Sequence, residues 1–82
     1  MIDIFKTPAE VAKQIGRLAR EKRLAKNLSQ ETLSKHSQVS LGTLKKFEQT
    51  GKISLESLLK IALALDALDD FLKVFQLQET YP

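Results

Sequence analysis

The 82-residue chain has no cysteine. That excludes a disulfide framework, a zinc–thiolate site and a thiol nucleophile, and it suits a reducing compartment without requiring one. Tryptophan is absent too, and aromatic residues make up 6% of the chain. The first 52 residues hold only Phe5 and Phe47, and Phe47 reads as core, so a stacking platform for single-stranded RNA is missing. The one histidine, His36, has no second ligand of its kind, so no metal site and no cofactor are expected. Glu31, Glu48 and Glu56 do not form a paired-carboxylate site. Ser34, Ser37 and Ser40 read as turn and cap residues rather than nucleophiles, so no enzyme is expected. The longest apolar run, IALAL at 61–65, is far shorter than the roughly 20 residues that cross a bilayer. The start, MIDIFK, lacks the basic and then long apolar pattern of a secretory signal. The expectation is a soluble, cytoplasmic protein with no membrane partner.

What is present is an apolar content of 43%, enough for one compact core, and residues 1–82 read as a single domain. The formal charge of +3 is unevenly spread. Residues 1–52 carry eleven Lys/Arg against five acids, whereas residues 53–82 carry two Lys against five acids. A basic front and an acidic rear point to a polyanion on one side and a different partner on the other.

Five helices are predicted, at about 8–26, 30–37, 41–49, 55–65 and 68–75. Thr7-Pro8-Ala9-Glu10 is a helix start with a cap, a proline at the first position and a capping box. Val11, Ile15, Leu18 and Ala19 then recur at helical spacing and predict one buried stripe. Lys13, Arg17, Arg20, Lys22 and Lys26 fall mainly elsewhere, and Lys13, Arg17 and Lys26 taken singly read as solvated surface. Asn27 tolerates the left-handed conformation that ends a helix. Ser29, Ser40 and Ser54 are placed to cap the next three helices. The fourth, with Leu55, Leu58, Leu59, Ile61, Ala62 and Leu65, exceeds a simple stripe and predicts a central core helix. Asp69 and Asp70 suit the N-terminus of the fifth, which carries Leu68, Phe71, Leu72 and Phe75. Ile2, Ile4 and Phe5 are expected to pack under the first helix, with pairing to a second subunit as the alternative.

The stretch from Gln30 to Gln49 organises the rest. It reads as two short helices around a tight corner, with Leu33, Val39, Leu44 and Phe47 inward. Leu41, Gly42, Lys45 and Lys46 are the expected outward positions of the second helix. That layout is a helix-turn-helix, whose second helix enters the DNA major groove. Gln38 sits in the corner, where a positive φ would favour glycine. Either the corner takes another shape or the Gln side chain serves a purpose.

The set Ile15-Gly16, Ala19-Arg20, Arg23, Leu28-Ser29-Gln30, Leu33, Val39-Ser40, Thr43-Leu44, Phe47-Glu48, Gly51 and Leu55-x-x-Leu58-Leu59 resembles the lambda-repressor-like (Cro-type, XRE) helix-turn-helix domains over roughly residues 12–72. The resemblance implies an all-α, compact five-helix fold. It also implies that Gln30 touches a backbone phosphate from a helix N-terminus. Ser40, Thr43, Lys45 and Lys46 match positions that contact phosphate or base edges. Leu41 and Gly42 match the two positions that most often read bases. Relatives commonly carry Arg, Gln or Ser there, so modest direct readout is expected: Leu41 can touch a thymine methyl and Gly42 lets backbone approach closely. Lys35 and Gln38 complete the candidate DNA-binding set. Arg23 and Glu48 match a pair that forms a structural salt bridge in relatives, and Ser37-Gln38 departs from the usual apolar-Gly corner. The run SLGTLKKFEQTGKISLESLLKIALAL further resembles HipB-type antitoxins, whose partner is a HipA-like kinase toxin.

Two classes of function follow. One is a sequence-specific repressor of double-stranded operator DNA, which the resemblance makes the antitoxin of a HipBA-like operon, acting as a homodimer on a pseudo-palindrome because one short helix buries too little alone. The other is a protein-interaction module that restrains a partner through the acidic, apolar rear (Glu56, Asp66, Asp69, Asp70, Phe71, Phe75).

Overall fold

The computed structural model describes residues 6–77, which form five helical elements and no strand. They are α1 (Pro8–Ala25), α2 (Gln30–Ser37), α3 (Leu41–Thr50), α4 (Leu55–Ala64) and a 3₁₀ segment (Leu68–Lys73). The expected packing of Ile2, Ile4 and Phe5 lies outside the described residues.

Each α-helix starts where a short polar side chain accepts an otherwise unpaired backbone N–H. Thr7 Oγ1 accepts from the Glu10 N–H at 3.1 Å, and Glu10 Oε1 accepts from the Thr7 N–H at 3.1 Å. The Thr7 backbone N–H, and then its hydroxyl, hold the Glu10 carboxyl below its usual pKa. Ser29, Ser40 and Ser54 accept from the N–H groups of Thr32, Thr43 and Ser57 at 3.0–3.2 Å.

Two helices end alike. After α1, Asn27 takes φ 57°, its N–H reaches the Leu24 carbonyl and the Leu28 N–H reaches that of Arg23. After α4, Asp66 takes φ 59°, its N–H reaches Leu63 and the Ala67 N–H reaches Ala62. These are paired Schellman closures. Lys26 and Asp66, one beside each closure, meet at 2.8 Å. The hydrogen bond from Lys26, and then its charge, lower the Asp66 pKa. Lys26 therefore bridges the two turns rather than standing alone in solvent.

The core is Leu33, Val39, Leu44, Phe47, Ile61 and Leu65, with Ile15, Ala19, Leu28, Ile53, Leu58 and Ala64 packed around it. α1 lies on α3, α2 on both α3 and α4, and the 3₁₀ segment on α4.

Three sequence expectations need correction. The predicted α1 stripe is shifted, because Val11 and Leu18 are exposed while Gly16 and Arg23 are buried. A Cβ on Gly16 would lie 2.3 Å from the Phe47 carbonyl oxygen, so the face that meets α3 is chosen for smallness as well as apolarity. Second, α4 is not a central helix: Leu55 and Leu63 are exposed, and only Ile61 and Ala62 within it are buried. Third, the fifth helix is a six-residue 3₁₀ segment rather than an α-helix to residue 75. It has no side-chain cap and no buried residue, and so short a helix is not self-sustaining without a packed face. Of the other helices, α2 has the expected bounds, and α1, α3 and α4 each differ at the C-terminal end by one residue, within the ordinary fraying of helix ends.

Candidate nucleic-acid interface

α2 and α3 are joined by a corner at Gln38, Val39 and Ser40. Gln38 takes φ 60°, the left-handed conformation that ordinarily favours glycine. Of the two alternatives for this corner, a different backbone shape is therefore ruled out. Serine side chains complete the turn. The Ser34 hydroxyl donates to the Val39 carbonyl, and the Val39 N–H donates to Ser37 Oγ at 3.3 Å. Ser37 is itself buried, and its Oγ reaches the Ser34 carbonyl at 3.4 Å. An apolar residue at 37 would leave the Val39 N–H without this partner, so the Ser-Gln pair is a self-consistent substitute for the apolar-Gly corner. The Gln38 side chain is exposed, as is that of Lys35 on α2.

α3 divides cleanly into two faces. Leu44, Phe47 and Glu48 are buried, whereas Gly42, Lys45, Lys46 and Gln49 are exposed at the i, i+3, i+4, i+7 spacing of a single face. Leu41 and Thr43 are half-buried at the start of the helix, so Leu41 is less outward than expected. The exposed Ser40 hydroxyl donates to Thr43 Oγ1 at 2.8 Å while capping the helix.

What aims this helix is a buried ionic cluster. Arg23 Nε donates to Glu48 Oε2 at 2.8 Å and Arg23 Nη2 to Glu48 Oε1 at 3.1 Å. The third nitrogen, Nη1, donates to the Leu28 carbonyl at 2.8 Å, and Gln30 Nε2 donates to Glu48 Oε1 at 2.9 Å. Arg23 and Glu48 are only 6% and 7% exposed. This bidentate pairing, which a lysine could not reproduce, ties α1, the turn after it, the start of α2 and α3 into one frame. The Gln30 amide is thus engaged inside the protein, holding the Glu48 carboxylate.

Sequence reading missed one element of this surface. Arg20, Gln30, Lys45, Glu48 and Gln49 line a polar groove of about 300 Å³ between α1 and α3. Glu48 is already neutralised by Arg23, so Arg20 and Lys45 leave the groove with a positive excess. Lys13, Arg17 and Arg20 share an exposed face of α1 at i, i+4, i+7 spacing. That spacing was visible in the sequence, but its meeting with Lys45 needs the α1–α3 packing. Together these groups offer a cationic ridge beside the α3 face, suited to phosphates.

Away from this side, a mostly apolar groove of about 450 Å³ is lined by Leu55, Leu59, Leu68, Asp69, Phe71, Leu72, Val74 and Phe75. Phe75 is 94% exposed and Leu72 76%. Among the described residues, no helix is long and apolar enough to cross a membrane.

Comparison with curated proteins returns no match. A family profile described as helix-turn-helix matches residues 20–71, which spans the Arg23–Glu48 cluster, the Gln38 corner and the whole of α3. The chain belongs to this helix-turn-helix family of DNA-binding transcription regulators.

Proposed function

We propose that this protein is a sequence-specific repressor that binds double-stranded operator DNA through α3. The observation that carries the reading is the division of α3: a face of Gly42, Lys45, Lys46 and Gln49 is presented to solvent by a helix whose opposite side is locked by Phe47 and Glu48. Ser40, Leu41, Gly42 and Thr43 form the leading turn of that helix, the end that reaches base edges in such domains. Lys45 and Lys46 neutralise phosphates, with Arg20 as a further cation on the flank. Lys35 and Gln38 border the same surface, and Gln30 acts through Glu48. The protein works where its DNA lies, in the cytoplasm.

One α3 buries too little for tight specific binding, so the active form is a homodimer on a pseudo-palindromic site with half-sites about 34 Å apart. Its contact is the exposed apolar rear around Leu72 and Phe75. The groove there also favours a second reading. As the antitoxin of a HipBA-like operon, the protein would hold DNA with its basic side and a HipA-like kinase with the acidic, apolar one, where Asp69 borders the groove.

The test is direct. The protein is used to enrich a sequence from randomised duplex DNA, and Lys45→Ala/Lys46→Ala is then measured on that duplex. The double variant is expected to keep its melting temperature and to lose at least about tenfold in affinity, roughly the loss of two phosphate contacts. Equal binding by the two proteins would remove α3 as the DNA-contacting element.

A further inference from the structure

Three glycines occur in the chain, and the fold dictates two of them. At Gly16 a Cβ would lie 2.3 Å from the Phe47 carbonyl oxygen, where α1 and α3 touch. Gly51 has φ 79°, and a Cβ there would lie 2.2 Å from the Ala12 carbonyl carbon. Gly42 is unlike both. It occupies the second position of α3, its φ is not positive, and a Cβ built on it meets no atom of the described residues within 4 Å. Neither backbone conformation nor packing excludes a side chain. Glycine is also a poor helix residue, since it gives up the most chain entropy and shields the backbone least. The bare position therefore weakens the first turn of α3 and gains nothing from the described residues around it.

Its place explains what the fold does not. Gly42 shares the exposed face with Lys45, Lys46 and Gln49, at the end of the helix that leads into a groove. Side chains on a helix lean toward its N-terminus, so Lys45 and Lys46 reach over the turn that Gly42 leaves open.

We propose that Gly42 is a specificity-determining position whose missing side chain is required by DNA. The backbone of the first turn of α3 seats in van der Waals contact with base-pair edges in the major groove, closer than any side chain permits. The inference rests on the DNA-binding reading above. Sequence is then read here by the depth of fit rather than by a bidentate hydrogen bond, while the lysines contribute attraction that is indifferent to sequence.

The experiment compares Gly42→Ala with the unaltered protein on two probes: the duplex enriched by the unaltered protein, and a scrambled duplex of equal length and composition. Thermal melting is recorded for both proteins. Gly42→Ala should melt at or above the parent temperature and lose about tenfold or more on the enriched duplex, a change of about 1.4 kcal/mol. On the scrambled duplex it should bind within about twofold of the parent, because phosphate contacts survive a slightly shallower seat. Equal binding of both proteins to the enriched duplex would overturn the inference and leave the DNA-binding reading intact. An equal loss on both duplexes, or a lower melting temperature, would also overturn it. Failure of the unaltered protein to enrich any sequence would instead remove the reading on which it rests.

Discussion

Removing Arg23 isolates the cluster that aims α3. In Arg23→Ala, the Glu48 carboxylate stays buried at 7% exposure with the Gln30 amide as its remaining partner, and the Leu28 carbonyl loses its 2.8 Å donor. Breaking a buried, hydrogen-bonded ion pair from one side typically costs about 3–5 kcal/mol, mostly because the surviving charge is stranded. A domain of this length is stable by about 4–12 kcal/mol in all, so the variant sits near the edge of folding. At roughly 4–8 °C per kcal/mol for domains of this size, the melting temperature should fall by at least about 12 °C. The control is Arg23→Met/Glu48→Leu, which removes both charges and should recover most of the loss. Denaturant melts of the parent, Arg23→Met, Glu48→Leu and the double variant supply the cycle, with Arg23→Ala melted alongside. A single variant within about 0.5 kcal/mol of the parent would place Arg23 among ordinary surface residues and refute the role assigned to the cluster.

Two further outcomes follow from the turns. Gln38→Gly relieves a non-glycine residue at φ 60°, and part of that gain is offset by the greater freedom of glycine in the unfolded chain. It should raise stability by up to about 1 kcal/mol; its effect on affinity for the enriched duplex reports separately whether the Gln38 side chain touches DNA. Asp66→Asn keeps a residue that tolerates the left-handed turn but loses the Lys26 partner. The Asp66 pKa is lowered in the folded state, so its contribution is present above the unfolded value and is lost as pH falls through the folded one. The variant should be less stable than the parent at neutral pH and should converge with it in acid; a stability gap that does not change with pH would count against the bridge.

What could be read in the sequence was local. The caps at Thr7, Ser29, Ser40 and Ser54, and the left-handed ending at Asn27, depend on chemistry confined to three or four residues, and each lies where it was expected. The inward set Leu33, Val39, Leu44 and Phe47 was legible for the same reason: a short helix has one face to bury. The inner face of α1 was not, because apolar periodicity counts Val11 and Leu18 and gives no weight to Gly16 or to a paired Arg23. The terminal segment misled because Leu72 and Phe75 look like core residues, although nothing among the described residues covers them. Of the exposed side of α3, Gly42, Lys45 and Lys46 could be read from spacing, whereas Leu41, also expected outward, is half-buried and Gln49 completes the face instead. The engagement of Gln30 with Glu48, and the groove joining Arg20 to Lys45, exist only once α1 and α3 are brought together.

Salt titration of duplex binding, for the parent and for Lys45→Ala/Lys46→Ala, examines the outward face of α3 most closely. Each phosphate neutralised adds about 0.9 to the magnitude of the slope of log affinity against log salt. With both lysines on phosphates, the double variant should show a slope shallower by roughly 1.8, at an unchanged melting temperature. Coincident slopes from two equally stable proteins would mean that this face does not meet the DNA.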